Sequence, residues 1–235
     1  KERGLEPLAM IIFAQLKTDG TPEEAAEPFI DPEKEVSTAA EALAGACDII
    51  AEMIADDPEI TKDVREKTFA SATVLTEAAD PEEKTVYEMY YDHAEALAKI
   101  PNHRVLAINR GEKEKKLKVK ISVDAETMHE VIGKSVLKNE KSIFHGLMTA
   151  TIADAYKRLM APSIEREMRN LLTERAEAEA VKIFAKNTEN LLMTPPVRGK
   201  KVIAIDPGYR TGCKVAVLDE TGKLKAYTTI YPTEP

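Results

Sequence analysis

The sequence predicts a mainly α-helical protein: a multi-helix N-terminal region with a long connecting helix, followed by a partial three-stranded antiparallel sheet. Apolar residues recur every three or four positions in two segments that each begin with Asp-Pro. Residues 164–192 continue without Gly or Pro for about eight helical turns. After residue 201 the pattern changes to short apolar runs separated by turn residues, which is typical of strands.

The two Asp-Pro segments, residues 31–56 and 80–100, predict the first helices. Asp31 and Asp80 are favoured N-cap residues, and the proline behind each one suits the first helical position, where a backbone N–H is not needed. Pro101 ends the second segment. The apolar stripes of the two predicted helices consist of Val36, Ala40, Leu43, Cys47, Ile50 and Ile54, and of Val86, Tyr90, Ala94 and Leu97.

A third predicted helix begins after Pro162 and runs from Ile164 to about Leu192, long enough to cross between domains. Together with residues 145–161 it predicts two helices joined by a short turn at the proline. Basic side chains flank this junction, namely Lys157, Arg158, Arg166 and Arg169. Such a pair can present one helix to a DNA groove, although helical hairpins without that role are more common.

Two prolines, a glycine and three basic residues in "TPPVRGKK" (residues 194–201) indicate a hinge. Beyond it the sequence predicts three strands, with residues 219–223 as the turn of a hairpin. We therefore predict one domain over residues 1–195 and the start of another over residues 196–235.

The net charge of -8 conceals a gradient along the chain. Residues 1–100 hold 9 basic and 24 acidic side chains, whereas residues 101–201 hold 20 basic and 13 acidic ones. The basic half suggests a surface for nucleic acid, and solvated helix surfaces are the alternative. Two isolated cysteines and the lack of an apolar run near the roughly 20 residues of a bilayer crossing predict a soluble, cytoplasmic protein without a membrane partner.

The densest basic cluster lies within residues 104–120 and consists of Arg104, Arg110, Lys113, Lys115, Lys116, Lys118 and Lys120. Lysines and arginines of this kind contact phosphates and release counterions. Lys116, Lys118 and Lys120 alternate with apolar residues, which places the three charges on one face of a strand. A strand edge protected by solvated lysines is the alternative.

Asp206 stands at the predicted tip of a strand and is followed by Pro-Gly. A carboxylate there can hold a divalent metal ion, as in ribonuclease-H-like nucleases, or a phosphate-bound cation, as in actin-like ATPases. A strand-ending turn without a ligand is the third interpretation. Because metal sites of this class use several acids, one carboxylate predicts no cofactor beyond weak Mg²⁺ binding.

Four motifs in fixed order extend these observations: "GLEPLA" (residues 4–9), "IPNHRVLAINRGE" (100–112), "IADAYKRLMAPSIEREMR" (152–169) and "IDPGYRTGCKVAVLDETGK" (205–223). Together they resemble the Tex family of bacterial transcriptional accessory proteins over essentially the whole chain. The resemblance implies an N-terminal and central fragment that ends in the first strands of a YqgF ribonuclease-H-like domain. A helix-hairpin-helix module and an RNA-binding S1 domain would lie beyond it.

The resemblance also implies roles for individual residues. Asp206 matches the first acidic position of the YqgF motif, and Gly208, Arg210 and Gly212 match as well. In this family the YqgF domain is viewed as lacking a complete catalytic set. The expected function is therefore a non-catalytic, nucleic-acid-binding scaffold in transcription, with the transcription machinery as a partner. A YqgF-type metal-dependent nuclease or resolvase and an actin-like ATPase remain the alternatives.

Overall fold

The computed structural model describes residues 3–195 and 197–232, and these residues divide into two compact units between residues 181 and 182. The α-helices are Glu6–Ala14 (α1), Pro22–Ala26 (α2), Ala39–Asp56 (α3), Pro58–Ser71 (α4), Asn102–Lys113 (α5), Ala125–Val136 (α6), His145–Asp154 (α7) and Ala161–Leu192 (α8). The strands are Thr73–Ala78 (β1), Asp92–Ala96 (β2), Leu117–Ser122 (β3), Val202–Asp206 (β4), Cys213–Leu218 (β5) and Leu224–Ile230 (β6). The predicted fold class is confirmed, and a further sheet lies in the first unit. The domain boundary at residues 195/196 stays a prediction.

The first predicted helix begins later than its Asp-Pro suggests. Asp31 caps only a 3₁₀ turn, Pro32–Lys34, after which Glu35 adopts a left-handed conformation with φ 59°. The α-helix itself, α3, starts behind Thr38, whose hydroxyl accepts a hydrogen bond from the backbone N–H of Glu41 at 3.2 Å. A local capping signal therefore occurs twice within eight residues, and the second one starts the helix.

The helix predicted for residues 80–100 is wrong. The Asp80 carboxylate accepts a hydrogen bond from the backbone N–H of Glu82 at 3.0 Å, which closes a turn instead of a helix. A 3₁₀ turn, Glu88–Tyr90, follows, and the chain then enters β2. Pairing with β1 supplies the backbone of β2 with long-range hydrogen bonds, and this tertiary contact overrides the local helical pattern.

In the first unit, β2, β1 and β3 form an antiparallel sheet in the order β2-β1-β3. Successive side chains of a strand point to opposite faces. Val74 and Thr76 on β1 and Leu117 and Ile121 on β3 face the core. Helix α5 connects β2 to β3 and packs against β3, so the basic cluster is built on the same framework as this sheet.

The helical hairpin predicted around Pro162 is also wrong, because α7, a π-helical segment (Ala155–Met160) and α8 follow one another without a break. The backbone N–H of Ala161 bonds to the carbonyl of Tyr156, five residues back. A proline inside an α-helix lacks a donor and its ring collides with the carbonyl four residues earlier. The wider π turn comes directly before Pro162 and accommodates it. The long third helix is confirmed as α8.

One apolar core extends through the first unit from α1 to Ala176 of α8. Its largest fully buried side chains include Phe144, Leu8, Ile12 and Ile50. Burial of each such side chain contributes about 1.5–3 kcal/mol. Among the helices in the described part of the chain, none combines the length and the apolar character that crossing a bilayer requires.

In the second unit, β4, β5 and β6 form an antiparallel meander, as predicted. Its register places Ile203, Ile205, Val215 and Val217 on one face. Ile203 and Ile205 are 67% and 57% exposed, so this apolar face is largely open. The opposite face carries Asp206.

Candidate nucleic-acid interface

The basic cluster of residues 104–120 lies on α5, on the turn that follows it and on β3. The turn is a Schellman motif: the N–H of Lys116 donates to the carbonyl of Gly111 at 2.8 Å, and the N–H of Lys115 donates to that of Glu112 at 2.9 Å. Lys115 has φ 59° at the position where helices usually place glycine. A long cationic side chain is thus kept where glycine would be less strained.

Three of the seven basic residues already have carboxylate partners. The pairs are Arg104–Glu95, Arg110–Glu114 and Lys116–Glu83, with N···O distances of 2.9, 2.9 and 2.6 Å. The hydrogen bond from Arg110 lowers the pKa of Glu114, and the hydrogen bond to Glu83 raises the pKa of Lys116. A phosphate would have to displace these carboxylates, so the three paired residues are the weaker candidates for phosphate contact.

The other four basic residues of the cluster are exposed and make no ion pair with any residue that the structure describes: Lys113, Lys115, Lys118 and Lys120. Lys113 and Lys115 belong to the end of α5 and its turn. Lys118 and Lys120 share one face of β3, as the alternation predicted, whereas Lys116, predicted on the same face, lies in the turn before the strand begins. The structure therefore gathers the available positive charge at the turn and along the edge strand.

Acidic residues limit the width of this basic surface. The register of the sheet sets Lys118 directly opposite Glu77 of β1, and Glu77 in turn opposite Asp92 of β2. Lys120 lies opposite Leu75. Both acids are exposed on the same face as the lysines. The basic surface is consequently a narrow strip along β3 and does not extend across the sheet.

Contacts with α8, which the sequence analysis missed, hold α5 in place. They are a bidentate ion pair between Arg169 and Glu112 and two side-chain hydrogen bonds, Asn109 to Thr173 at 2.8 Å and Arg175 to Asn102 at 2.9 Å. Only the first two contacts are spaced by about one helical turn on both helices, so no single period in the sequence indicated all three. Because Arg169 is bound to Glu112 inside the fold, it is not a free basic residue at a groove-binding helix.

Arg158, a second arginine of that predicted junction, lies in the π segment and also forms ion pairs within the first unit. Its guanidinium binds Asp154 one turn earlier and reaches Asp48 of α3 at 2.8 Å. Lys157 and Arg166 are exposed. Of the basic residues at this junction, Arg158 and Arg169 are therefore held in ion pairs within the first unit, whereas Lys157 and Arg166 form none with a described residue.

In the second unit, the YqgF-like motif surrounds the end of β4. Asp206 and Arg210 are exposed. A Cβ atom on Gly208 would lie 2.5 Å from the carbonyl oxygen of Gly212, and Gly212 has φ 77°. Both glycines are thus required by the close backbone approach of this turn. They shape the loop behind the carboxylate and contribute no ligand side chain.

The surroundings of Asp206 do not fit a divalent metal site. Across residues 3–195 and 197–232, no group of three or more His, Cys, Asp or Glu side chains is placed to hold an ion. The strand register sets Lys214 directly opposite Asp206 on the same face. A neighbouring ammonium group repels a second cation. Sequence reasoning did not identify Lys214, because its pairing depends on the register of the hairpin.

Two family models match the chain: "Tex central region-like" over residues 17–184 and "Tex protein YqgF-like domain" over residues 200–235. YdcI of Bacillus subtilis is 47% identical over 238 residues, covering 100% of this chain and 33% of that protein. Protein tex of Bordetella pertussis is 34% identical over 252 residues, covering 100% and 31%. S1 RNA-binding domain-containing protein 1 of Homo sapiens is 28% identical over 219 residues, covering 86% and 22%. The chain spans about a third or less of the length of these curated relatives.

Proposed function

The chain belongs to the Tex family, and from this premise we propose that it is a non-catalytic, nucleic-acid-binding part of a transcriptional accessory protein that works with the transcription machinery. The name of the human relative includes an RNA-binding domain, which supports a nucleic-acid role for the longer proteins of this kind. The proposed setting is the cytoplasm, where the free thiols of Cys47 and Cys213 stay reduced.

The observation that carries this proposal is the set of four exposed lysines without ion-pair partners in the described structure, at the end of α5 and along β3. Such side chains bind the phosphate backbone and carry little sequence information. Residues 104–120 contain no aromatic side chain, so base stacking, worth about 1–3 kcal/mol per base, contributes little. We therefore expect weak binding without sequence preference, in the micromolar range or weaker.

The first prediction tests these four lysines, which together form the lysine strip, by the salt dependence of binding. Replacing Lys113, Lys118 and Lys120 together by Gln should weaken binding of a fluorescein-labelled single-stranded oligonucleotide. Each neutralised phosphate contributes a slope of about 0.7–0.9 to the fall of log K with log salt, so the slope should decrease by about 2–3. Fluorescence anisotropy across a salt series measures both quantities. RNA and DNA oligonucleotides of the same sequence would reveal which is preferred.

A matched control removes the same charge elsewhere. Lys67, Lys134 and Lys141 are exposed, lie outside the strip and form no ion pair with a described residue. Their triple Gln variant should keep the wild-type slope. If both triple variants lose affinity equally, binding follows net charge, and the strip is a solvated strand edge.

Asp206 supports a second candidate, a YqgF-type metal-dependent nuclease, because it stands at a strand tip inside a matching motif. Lys214 opposite it weighs against this function. We expect the dissociation constant for Mg²⁺ to be about millimolar or weaker, which is the weak end of the range for sites with oxygen ligands. Micromolar Mg²⁺ binding by calorimetry that disappears in Asp206→Asn would favour the nuclease. The actin-like ATPase stays a third alternative, without a structural observation in its favour.

A further inference from the structure

A groove of about 470 Å³ lies in the first unit between α3, α4 and the start of α8. Its floor is apolar and includes Leu159, Met160 and Ile164, the first two from the π segment. Glu52 and Asp56 form the rim on the α3 side, and an ion pair between Arg65 and Glu167, at 2.7 Å, stands at its wall. This volume is within the range of small-ligand pockets, about 300–1,000 Å³.

The negative charge of the rim favours ligands that carry positive charge. Asp48, Glu52 and Asp56 follow one another at i, i+4 and i+8 on α3, so they share one face about one turn apart. Asp56 ends α3, where the helix dipole adds negative potential. Glu52 and Asp56 make no ion pair with any residue in the described ranges. Such a rim repels phosphate and attracts cations.

The fold itself shows how this row binds a cation. Arg158 extends from the π segment and places its guanidinium 2.8 Å from the carboxylate of Asp48. The next two carboxylates of the row, Glu52 and Asp56, have no basic partner among the residues that the structure describes. Two basic side chains of a partner molecule could bind Glu52 and Asp56 in the way that Arg158 binds Asp48.

We propose that this groove binds a basic segment of a partner protein, with two Lys or Arg side chains on Glu52 and Asp56 and an aliphatic side chain on the apolar floor. Two basic residues four positions apart on a partner helix match the spacing of the two carboxylates. The interaction is independent of the lysine strip and goes beyond nucleic-acid binding. It would give the acidic half of the chain a partner of opposite charge.

The test uses the whole chain and a fluorescein-labelled, alanine-based helical peptide with two arginines at i and i+4 and a leucine beside them. Wild-type protein should bind this probe, and binding should weaken with added salt. Glu52→Lys combined with Asp56→Lys should lower the affinity about tenfold, since two exposed ion pairs become two repulsions. Ser163→Trp, at an exposed position of the lining, should lower it without a change of charge.

The charge-matched control is Asp63→Lys with Glu130→Lys, two exposed acids outside the groove. This variant should change the affinity less than about twofold, as expected for long-range charge effects at physiological salt. Circular dichroism shows whether each variant is folded. If the variant with Lys at positions 52 and 56 is unfolded, the variant Glu52→Gln with Asp56→Asn takes its place. The proposal is overturned if wild type does not bind the probe, if both charge reversals weaken binding equally, or if Ser163→Trp binds like wild type.

Discussion

At the scale of single residues, Gln15 is a buried polar side chain that joins two distant segments of the first unit. It is fully buried and has φ 54° directly after α1. Its amide nitrogen donates to the carbonyl of Val136 at 2.8 Å, and its amide oxygen accepts from the N–H of Lys138 at 2.9 Å. The side chain of Asn139 returns a hydrogen bond to the carbonyl of Gln15. One side chain thus joins the end of α1 to the segment after α6.

We predict that Gln15→Ala lowers the free energy of unfolding by about 2–4 kcal/mol, because three buried or partly buried backbone groups lose their partner. Urea denaturation followed by circular dichroism measures this change. Lys17→Ala, two residues on and exposed, is the control and should stay within about 0.5 kcal/mol. A Gln15 variant as stable as that control would show that water replaces the amide group.

At the scale of elements, the Asp-Pro pairs show what the sequence could and could not predict. The periodicity behind α3 arises from side chains that bury one face of the helix, and it was predicted from the sequence. The length of α8 was also predicted, although its buried side chains end at Ala176. Asp80 and Pro81 satisfy the same local rules, yet they form a turn before β2. Local signals specify how a turn begins, whereas strand pairing depends on partners far along the chain.

The junction of α5 with β3 depends on a glycine. A Cβ on Gly111 would lie 2.6 Å from Cδ1 and 2.9 Å from Cγ of Leu117, which is a buried side chain. We predict that Gly111→Ala costs about 1–3 kcal/mol of stability through overpacking. Gly146 in α7 has no such neighbour within 4 Å, so Gly146→Ala should stabilise the protein by about 0.5–1 kcal/mol. Thermal or urea unfolding measures the stability of both variants. A change of stability in the same direction for both would contradict the packing argument.

The turn between β5 and β6 contains an acid with a pH-dependent role. Hydrogen bonds from the side chain and backbone of Thr221, together with Lys225, lower the pKa of Asp219 from 3.8 to about 2. A carboxyl group whose pKa is lower in the folded state stabilises that state above its unfolded pKa. This contribution is lost as the pH falls from about 4 through about 2.

We therefore expect an NMR titration of the Asp219 carboxyl carbon to have its midpoint near pH 2. The amides of Thr221 and Lys223, which donate to this carboxylate, should exchange faster as it becomes protonated. Asp219→Asn should show this faster exchange at neutral pH. A midpoint at the ordinary value of 3.8 would mean that the turn is open in solution.

At the scale of the whole molecule, the charge gradient predicted where to look for a nucleic-acid surface but not which residues are available. Composition cannot reveal that Arg104, Arg110 and Lys116 are paired with nearby carboxylates, since these contacts form only when α5 and the sheet assemble. Nor can it place Lys118 opposite Glu77, which follows from the register of β1 with β3. The cluster was predictable as a segment, and its division into paired and free residues required the fold.

The last prediction concerns the two units, each taken by itself. The first has one continuous apolar core, whereas the meander of the second leaves Ile203 and Ile205 mostly exposed. Few buried contacts mean low local stability, so amides of β4–β6 should exchange with deuterium much faster than those of α3 and β1. Mass spectrometry after a short exchange pulse compares peptides from residues 202–230 with peptides from residues 39–78. Equal protection would contradict this expectation, and a dilution series would then show whether a second copy covers the open face, because such protection would fall as the protein is diluted.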